Sequence, residues 1–305
     1  MENSEPRHIG FIFIDGLGAG IDDERINPCT ESRLFNNFSE DVYPKRGHAG
    51  GWITTLDAAL GIPGLPQSAT GQSALFTGLN IPALLGRHLQ GFPNEKIRRL
   101  LARGSLLEWF KDHDGSALFI NAFRPPFFDY LPHQIIRYLS VTSICNLYAD
   151  LPFLKLQDIR SENSVYHDLT NRALRERGYD VPEFEPEQAG RIIARAVQRC
   201  GFVLFEYFNT DRAGHSLDRE WAVAELHKLE RFLLSLCSRL DFRETLLVVA
   251  SDHGNIEQID TKGHTRNPVQ ALMIGAGSDR LAHSCRSIND IAPALMNAAG
   301  KRKKT

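Results

Sequence analysis

Three continuous apolar runs organise this chain, at residues 8–14, 202–208 and 245–250. Unbroken rather than alternating hydrophobicity predicts strands buried on both faces, as in a parallel sheet covered by helices. Helical periodicity fills 185–199 and 220–239 and returns at 287–299, and residues 272–274 predict a last short strand. Strand and helix alternate. The expected class is therefore α/β, with three layers (α/β/α) around a mostly parallel central sheet.

Two stretches depart from this rhythm. Residues 49–80 are dense in Gly, Thr, Ser and Pro, which predicts a loop delivering a short helix over 69–76 with Gly78 as its C-cap. Residues 87–189 mix helical patterns (95–103, 106–113), a strand-like 116–121 and aromatic, proline-broken segments around 123–132. The expected organisation is a discontinuous catalytic domain, 1–86 and 190–305, with 87–189 as a smaller inserted cap.

Composition narrows the class. At 305 residues, 42% apolar and 24% charged, an ordinary globular core is expected. A net charge of -2 gives no sign of a nucleic-acid partner, and the basic run Lys301, Arg302, Lys303 and Lys304 reads as a solvated tail. Five scattered cysteines, without a CxxC, argue against a disulfide framework and a thiolate metal site, and predict a cytoplasmic protein. The polar opening Met1-Glu2-Asn3-Ser4 is not expected to be a signal peptide, and no apolar stretch reaches membrane-spanning length.

The chemistry gathers where the strands end. Asp15 follows the first run, Asp211 and His215 the second, and Asp252 and His253 the third, with His264 in a loop soon after. Asp211 and His215 are four residues apart, so one helical turn would aim both at a single ion. Carboxylates mixed with imidazoles suit zinc or manganese better than magnesium or calcium. Gly16-x-Gly18-x-Gly20 lacks the complete dinucleotide-loop spacing, and no HExxH is present. Ser68, ahead of the short helix, is the candidate nucleophile, with Thr70 and Ser73 as rivals.

These phrases resemble the alkaline phosphatase superfamily, and within it the branch of cofactor-independent phosphoglycerate mutase and phosphopentomutase. Asp211-Arg212-Ala213-Gly214-His215-Ser216 resembles that branch's D-x-x-G-H-[ST]. Asp252-His253-Gly254-Asn255-Ile256-Glu257-Gln258 resembles its D-H-G-N-x-E-Q, and His264-Thr265-Arg266-Asn267-Pro268-Val269 its H-T-x-N-P-V. The resemblance covers roughly 8–80 and 195–300. It implies two divalent metal ions, one held by Asp211, His215 and His264, the other by Asp15, Asp252, His253 and the nucleophile oxygen. The family's glycine spacing after the nucleophile favours Ser68, while a register fixed on Gly64-Leu65-Pro66 selects Ser73.

Two departures matter. Gln72 stands where the mutases often have His, and 87–189 replaces their large second domain, which argues against a phosphoglycerate mutase as such. The resemblance implies phosphoryl transfer on a small phosphorylated substrate through a phosphoserine, as a hydrolase or an intramolecular mutase. A metal-stabilised binding protein of the same fold is the alternative. Arg98, Arg99, Arg103, Arg124 and Arg137 are candidate anion clamps. Arg124 leads because it is the one charge in the rigid, apolar Phe123-Arg124-Pro125-Pro126-Phe127-Phe128. The oligomeric state is left open.

Overall fold

The computed structural model describes residues 5–130 and 132–300. The first four residues and the C-terminal basic run lie outside the described residues. Seven strands form one sheet: β1 (His8–Ile14), β2 (Lys45–Arg46), β3 (Trp52–Leu56), β4 (Ala117–Phe119), β5 (Phe202–Tyr207), β6 (Thr245–Ala250) and β7 (Val269–Gly275), in the order β2-β3-β7-β6-β1-β5-β4.

The three apolar runs are the middle of this sheet, β5-β1-β6, paired in parallel. β4 extends the parallel half beside β5. The other half is antiparallel: β7 against β6, β3 against β7 and β2 against β3. The sheet is thus mixed, and the expectation of a mostly parallel sheet holds for one half only. β3 was expected to be loop. Its two threonines and flanking glycines obscure a five-residue strand that pairs with β7 from Trp52↔Met273 to Leu56↔Val269.

Period-two alternation along β1 sends Ile9, Phe11 and Phe13 to one face and Ile12 and Ile14 to the other. On the second face lie the helices Pro186–Val197 and Arg219–Cys237. They approach so closely that a Cβ on Gly190 would stand 2.7 Å from the Phe232 carbonyl oxygen. On the first face lie Ser68–Thr77, Leu106–Asp114, Val141–Tyr148 and Ile291–Ala299. Phe110 stacks on Phe202 there at 4.3 Å. Each such fully buried aromatic or aliphatic side chain contributes about 1.5–3 kcal/mol.

The segment 87–189 is woven into both faces. Ile97, Leu101, Phe110 and Ile144 share the core of Phe11 and Phe13, while Val165, Leu169 and Leu174 share that of Ile12 and Ile14. Among the described residues no helix is long and apolar enough to cross a membrane.

Candidate metal centre

Strand direction brings the acids and imidazoles together. β1, β5 and β6 run parallel, so the residues that follow them emerge at one edge of the sheet. Asp15 leaves β1 with its amide bonded to the Tyr207 carbonyl at 2.8 Å. Asp211 and His215 lie on the helix Asn209–Ser216, which follows β5. Asp252 and His253 follow β6.

Two clusters result. In the inner one, Asp15, Asp252 and His253 present ligand atoms within 4.8 Å of one another. His253 Nε2 stands 3.1 Å from Asp15 Oδ1 and 3.5 Å from Asp252 Oδ2. In the outer one, Asp211 Oδ1 lies 3.4 Å from both His215 Nε2 and His264 Nε2, and these two nitrogens are 3.2 Å apart. The clusters touch: His253 and His264 stack at 3.7 Å, and His253 also falls within ligand range of Asp211 and His264.

Ser68 is the hydroxyl at this junction. It is the first residue of the helix Ser68–Thr77, one position earlier than the pattern predicts, and its Oγ lies 3.0 Å from His253 Nε2. The rivals face elsewhere. Ser73 Oγ donates back to the Ala69 carbonyl at 2.6 Å, and Thr70 Oγ1 to the Gln67 carbonyl at 3.1 Å. Gln67 at the N-cap makes no side-chain cap, so the first amides of the helix are left uncapped beside Ser68. Gln72 donates to Asp15 Oδ2 at 3.3 Å.

A support layer orients the ligands, and most of it was not singled out as functional from sequence. His264 Nδ1 bonds the Pro66 carbonyl at 3.0 Å and His215 Nδ1 the Lys262 carbonyl at 2.7 Å. A carbonyl can only accept, so both Nδ1 atoms donate and both Nε2 atoms carry lone pairs when neutral. Asn255 Nδ2 donates to Asp211 Oδ1 at 2.6 Å. Glu257 ties three loops together: it accepts from Gly18 N at 3.0 Å, Asn255 N at 2.7 Å, Asn267 Nδ2 at 3.1 Å and the Thr265 hydroxyl. A Cβ on Gly18 would run into that carboxylate, which accounts for glycine there without any nucleotide. Buried Glu206, in the middle of an apolar strand, accepts from Thr142 Oγ1 at 2.6 Å. A lone acid inside the run Phe202–Tyr207 was the available signal.

Comparisons with known proteins show the family and the fold that this chain resembles. Residues 179–302 match the model of the Metalloenzyme superfamily. That match covers less than half of the chain. A 2,3-bisphosphoglycerate-independent phosphoglycerate mutase of Desulforudis audaxviator is 27% identical over 135 residues, 40% of this chain and 26% of the mutase. The match therefore spans about a quarter of that relative's length. A cold-active alkaline phosphatase from Shewanella sp. superposes with a TM-score of 0.56 at 14% identity, covering 95% of this chain and 99% of that one. Alkaline phosphatase from the Antarctic bacterium TAB5 gives 0.53 at 12% identity, over 98% and 100%. The fold is that of alkaline phosphatase.

Do the residues of the matched stretch, with Asp15 and Ser68 from the N-terminal part, fit metal ions? Asp15 Oδ1 and Asp252 Oδ2 are buried without a hydrogen-bond partner, and two imidazole lone pairs converge on Asp211 Oδ1. Acceptors facing acceptors need a cation between them, so the set fits. Burial and the carboxylates of Asp252 and Asp211 push Asp15 up to about 8, and burial raises Asp252 to about 6. Burial opposes a charge on His253, but Asp252 and Asp15 outweigh it and raise the ring to about 10. Burial would also raise Asp211, yet His264, His253 and Asn255 bring it down to about 2. Without metal, protons hold the inner cluster together. A divalent ion would compete for the same positions.

Arg124 is exposed and begins the short helix Pro125–Phe128. Arg99 is paired to Glu95 at 2.5 Å and Arg98 bonds the Pro93 carbonyl at 2.6 Å, both on a surface helix.

Proposed function

We propose that this protein is a two-metal-dependent phosphoryl-transfer enzyme acting on a small phosphate ester through a phosphoserine at Ser68. It would work as a phosphomonoester hydrolase or an intramolecular phosphomutase. The observation that carries this is the 3.0 Å contact of Ser68 Oγ with His253 Nε2, at the meeting point of two carboxylate–imidazole clusters. Asp211, His215 and His264 would hold one ion. Asp15, Asp252, His253 and Ser68 Oγ would hold the other, with zinc or manganese preferred by the donor set. When bound, such ions supply the positive charge that stabilises attacking and leaving oxygens of an in-line displacement.

The chain's own residues supply position. Uncapped amides at the start of the Ser68–Thr77 helix, with the helix dipole, favour the phosphoryl anion beside Ser68. Ser68 gives up its hydroxyl proton as Oγ attacks phosphorus; the Oγ–P bond forms as the P–O bond to the leaving group breaks, and the departing alkoxide takes up a proton to leave as the alcohol. Water, or a second hydroxyl of the substrate, then takes the phosphoryl group and Ser68 regains its proton. Positioning and charge carry most of such catalysis. In this account 1–86 and 190–305 form the catalytic part, 87–189 faces the substrate, and the enzyme works in the cytoplasm without nucleic-acid or membrane partners.

The test is hydrolysis of an aryl phosphate by metal-stripped protein and after adding zinc, manganese or magnesium. Metal-dependent turnover, or a phosphoserine located at Ser68 by mass spectrometry, supports the proposal. Two firmly bound metals with neither turnover nor a phosphoserine would indicate a metal-stabilised binding protein. Failure to bind metal would refute the proposal altogether.

A further inference from the structure

Beside the metal centre lies a second feature that the mechanism does not use. The parallel half of the sheet continues past β4: Ala122 N bonds the Val165 carbonyl at 3.0 Å and Phe123 N the Leu154 carbonyl at 2.8 Å. The bridges Asn121↔Val165 and Ala122↔Leu154 are parallel, and the Asn121 side chain pairs with the Glu206 backbone at 2.8 and 2.9 Å. The ends of 121–123, 165–167 and β5 therefore project from the edge that carries Asp15, Asp211 and Asp252. That is where a parallel sheet binds ligands.

Arg124, His167 and Arg212 stand on those ends. His167 stacks on Phe208 at 4.2 Å and 29°, and its Nδ1 is buried with no hydrogen-bond partner. Burial, then the cations Arg212, Arg177 and Arg124, hold its ring neutral, with its pKa lowered to about 3. Two acids of the cavity beside Arg212 are already engaged. Asp168 accepts from the amides of Asn171 and Ala173 at 2.8 Å and of Thr170 at 3.2 Å, and Glu225 holds Lys228 at 2.7 Å. Among the described residues, Arg212 bonds the side-chain amide oxygen of Asn209 at 3.4 Å and Arg177 the Ala173 carbonyl at 2.6 Å. Among the described residues no ion pair joins Arg124, Arg177 or Arg212 to a carboxylate. Three exposed guanidinium groups without an ion pair thus lie near one unsatisfied buried imidazole nitrogen.

We propose that Arg124, Arg177, Arg212 and His167 form an anion subsite for a second acidic group of the substrate, a phosphate or a carboxylate, next to the phosphoryl group held at Ser68. This rests on the phosphoryl-transfer proposal and deepens it: the natural ester carries two anionic groups. Arg212, the neighbour of Asp211, links the two positions along the chain.

The experiment measures the affinity of metal-loaded protein for three esters by calorimetry: glycerol 3-phosphate, propane-1,3-diol bisphosphate and 3-phosphoglycerate. The first has no second acidic group, the second adds a phosphate and the third a carboxylate. Charge-assisted guanidinium contacts predict that one of the doubly acidic esters binds roughly 10-fold or more tighter than glycerol 3-phosphate. That ratio should fall toward one in Arg124→Ala, Arg177→Ala and Arg212→Ala combined, with an unchanged melting temperature because all three side chains are exposed. The bisphosphate and the phosphoglycerate arms tell which group the subsite takes. Equal binding of all three esters, or a preference that survives the triple substitution, overturns the subsite. Metal-dependent binding of glycerol 3-phosphate without any preference overturns the subsite alone. Binding of no ester overturns both proposals.

Discussion

The inner and outer clusters are built from the same residue types and differ in their access to water. Asp252 and His253 are fully buried, whereas the His215 side chain is 36% and that of Asp211 18% exposed. Asp211 also has a donor, Asn255, while one oxygen each of Asp15 and Asp252 has none. The outer carboxylate accordingly stays ionised down to about pH 2, and the inner pair shares protons near neutrality. Desolvated like charges disfavour ionisation; a partnered carboxylate favours it. The inner position therefore needs protons or a metal ion to offset its buried carboxylates, and the outer position is already partly satisfied.

The largest expected effect falls on the inner side. Ser68→Ala and Asp252→Asn should each lower metal-dependent phosphate-ester turnover by several orders of magnitude, because each removes a member of one unit. Steady-state kinetics at saturating metal checks this. Turnover retained by either variant would move the chemistry away from the inner cluster.

The next effect is on stability and has a sign. Asp15 and His253 both have pKa values raised on folding, to about 8 and about 10. Such groups add stability to the metal-free protein that is complete below their unfolded values, near 4 and 6.5, and is lost as pH rises through the folded ones. Metal-free protein should therefore become less stable from about pH 5 to pH 9, while metal, competing with fewer protons, binds better. At a thousandfold excess over Kd, binding adds about 4 kcal/mol, or roughly 10 °C in melting temperature for a domain of this size. Calorimetric scans with and without zinc should show that increment growing with pH. An increment that is flat, or that shrinks, would mean that the inner acids are not held as protonated groups.

A smaller change tests the outer side alone. Asn255→Ala removes the donor to Asp211 and should weaken metal binding at the outer cluster by about 10–100-fold while leaving binding at the inner cluster in place. Metal titration against a chelator reads the two stoichiometries separately. Equal weakening of both would mean that the stacked His253 and His264 rings couple the clusters into one site.

How legible all this was depended on local contrast. The strands β1, β5 and β6 stood out because both their faces are apolar, and the acids and histidines stood out because they interrupt those runs at the ends. β3 did not, since Thr54 and Thr55 sit among glycines and its pairing is set by β7, more than 200 residues away in sequence. The sequence predicts only 272–274 of β7 because Gln270 breaks the apolar pattern; that side chain is buried and donates to the Gly18 and Phe35 carbonyls at 2.8 and 3.0 Å. The clamp role of Glu257 and the cation cluster at His167 come from tertiary contacts, which no spacing encodes. The segment 87–189 looked separate because it lacks the acid and histidine phrases, yet it buries its apolar residues in both cores.

The smallest expected effect decides between the two serines that the sequence left open. Ser73 is fully buried in the Ser68–Thr77 helix, and its hydroxyl donates to the Ala69 carbonyl of its own helix. Ser73→Ala removes that bond and leaves a carbonyl that already serves the helix ladder, so the cost should be about 1 kcal/mol or less. Alanine is also the better helix former, which offsets part of the loss. Turnover should stay within about 3-fold of the parent, since a change below 1 kcal/mol in an unstrained helix leaves little to transmit to Ser68. Parallel assays of Ser73→Ala and Ser68→Ala make the contrast sharp. If Ser73→Ala were the inactive one, the helix would have to present its opposite face to His253. The register of Ser68 in the inner cluster would then be wrong.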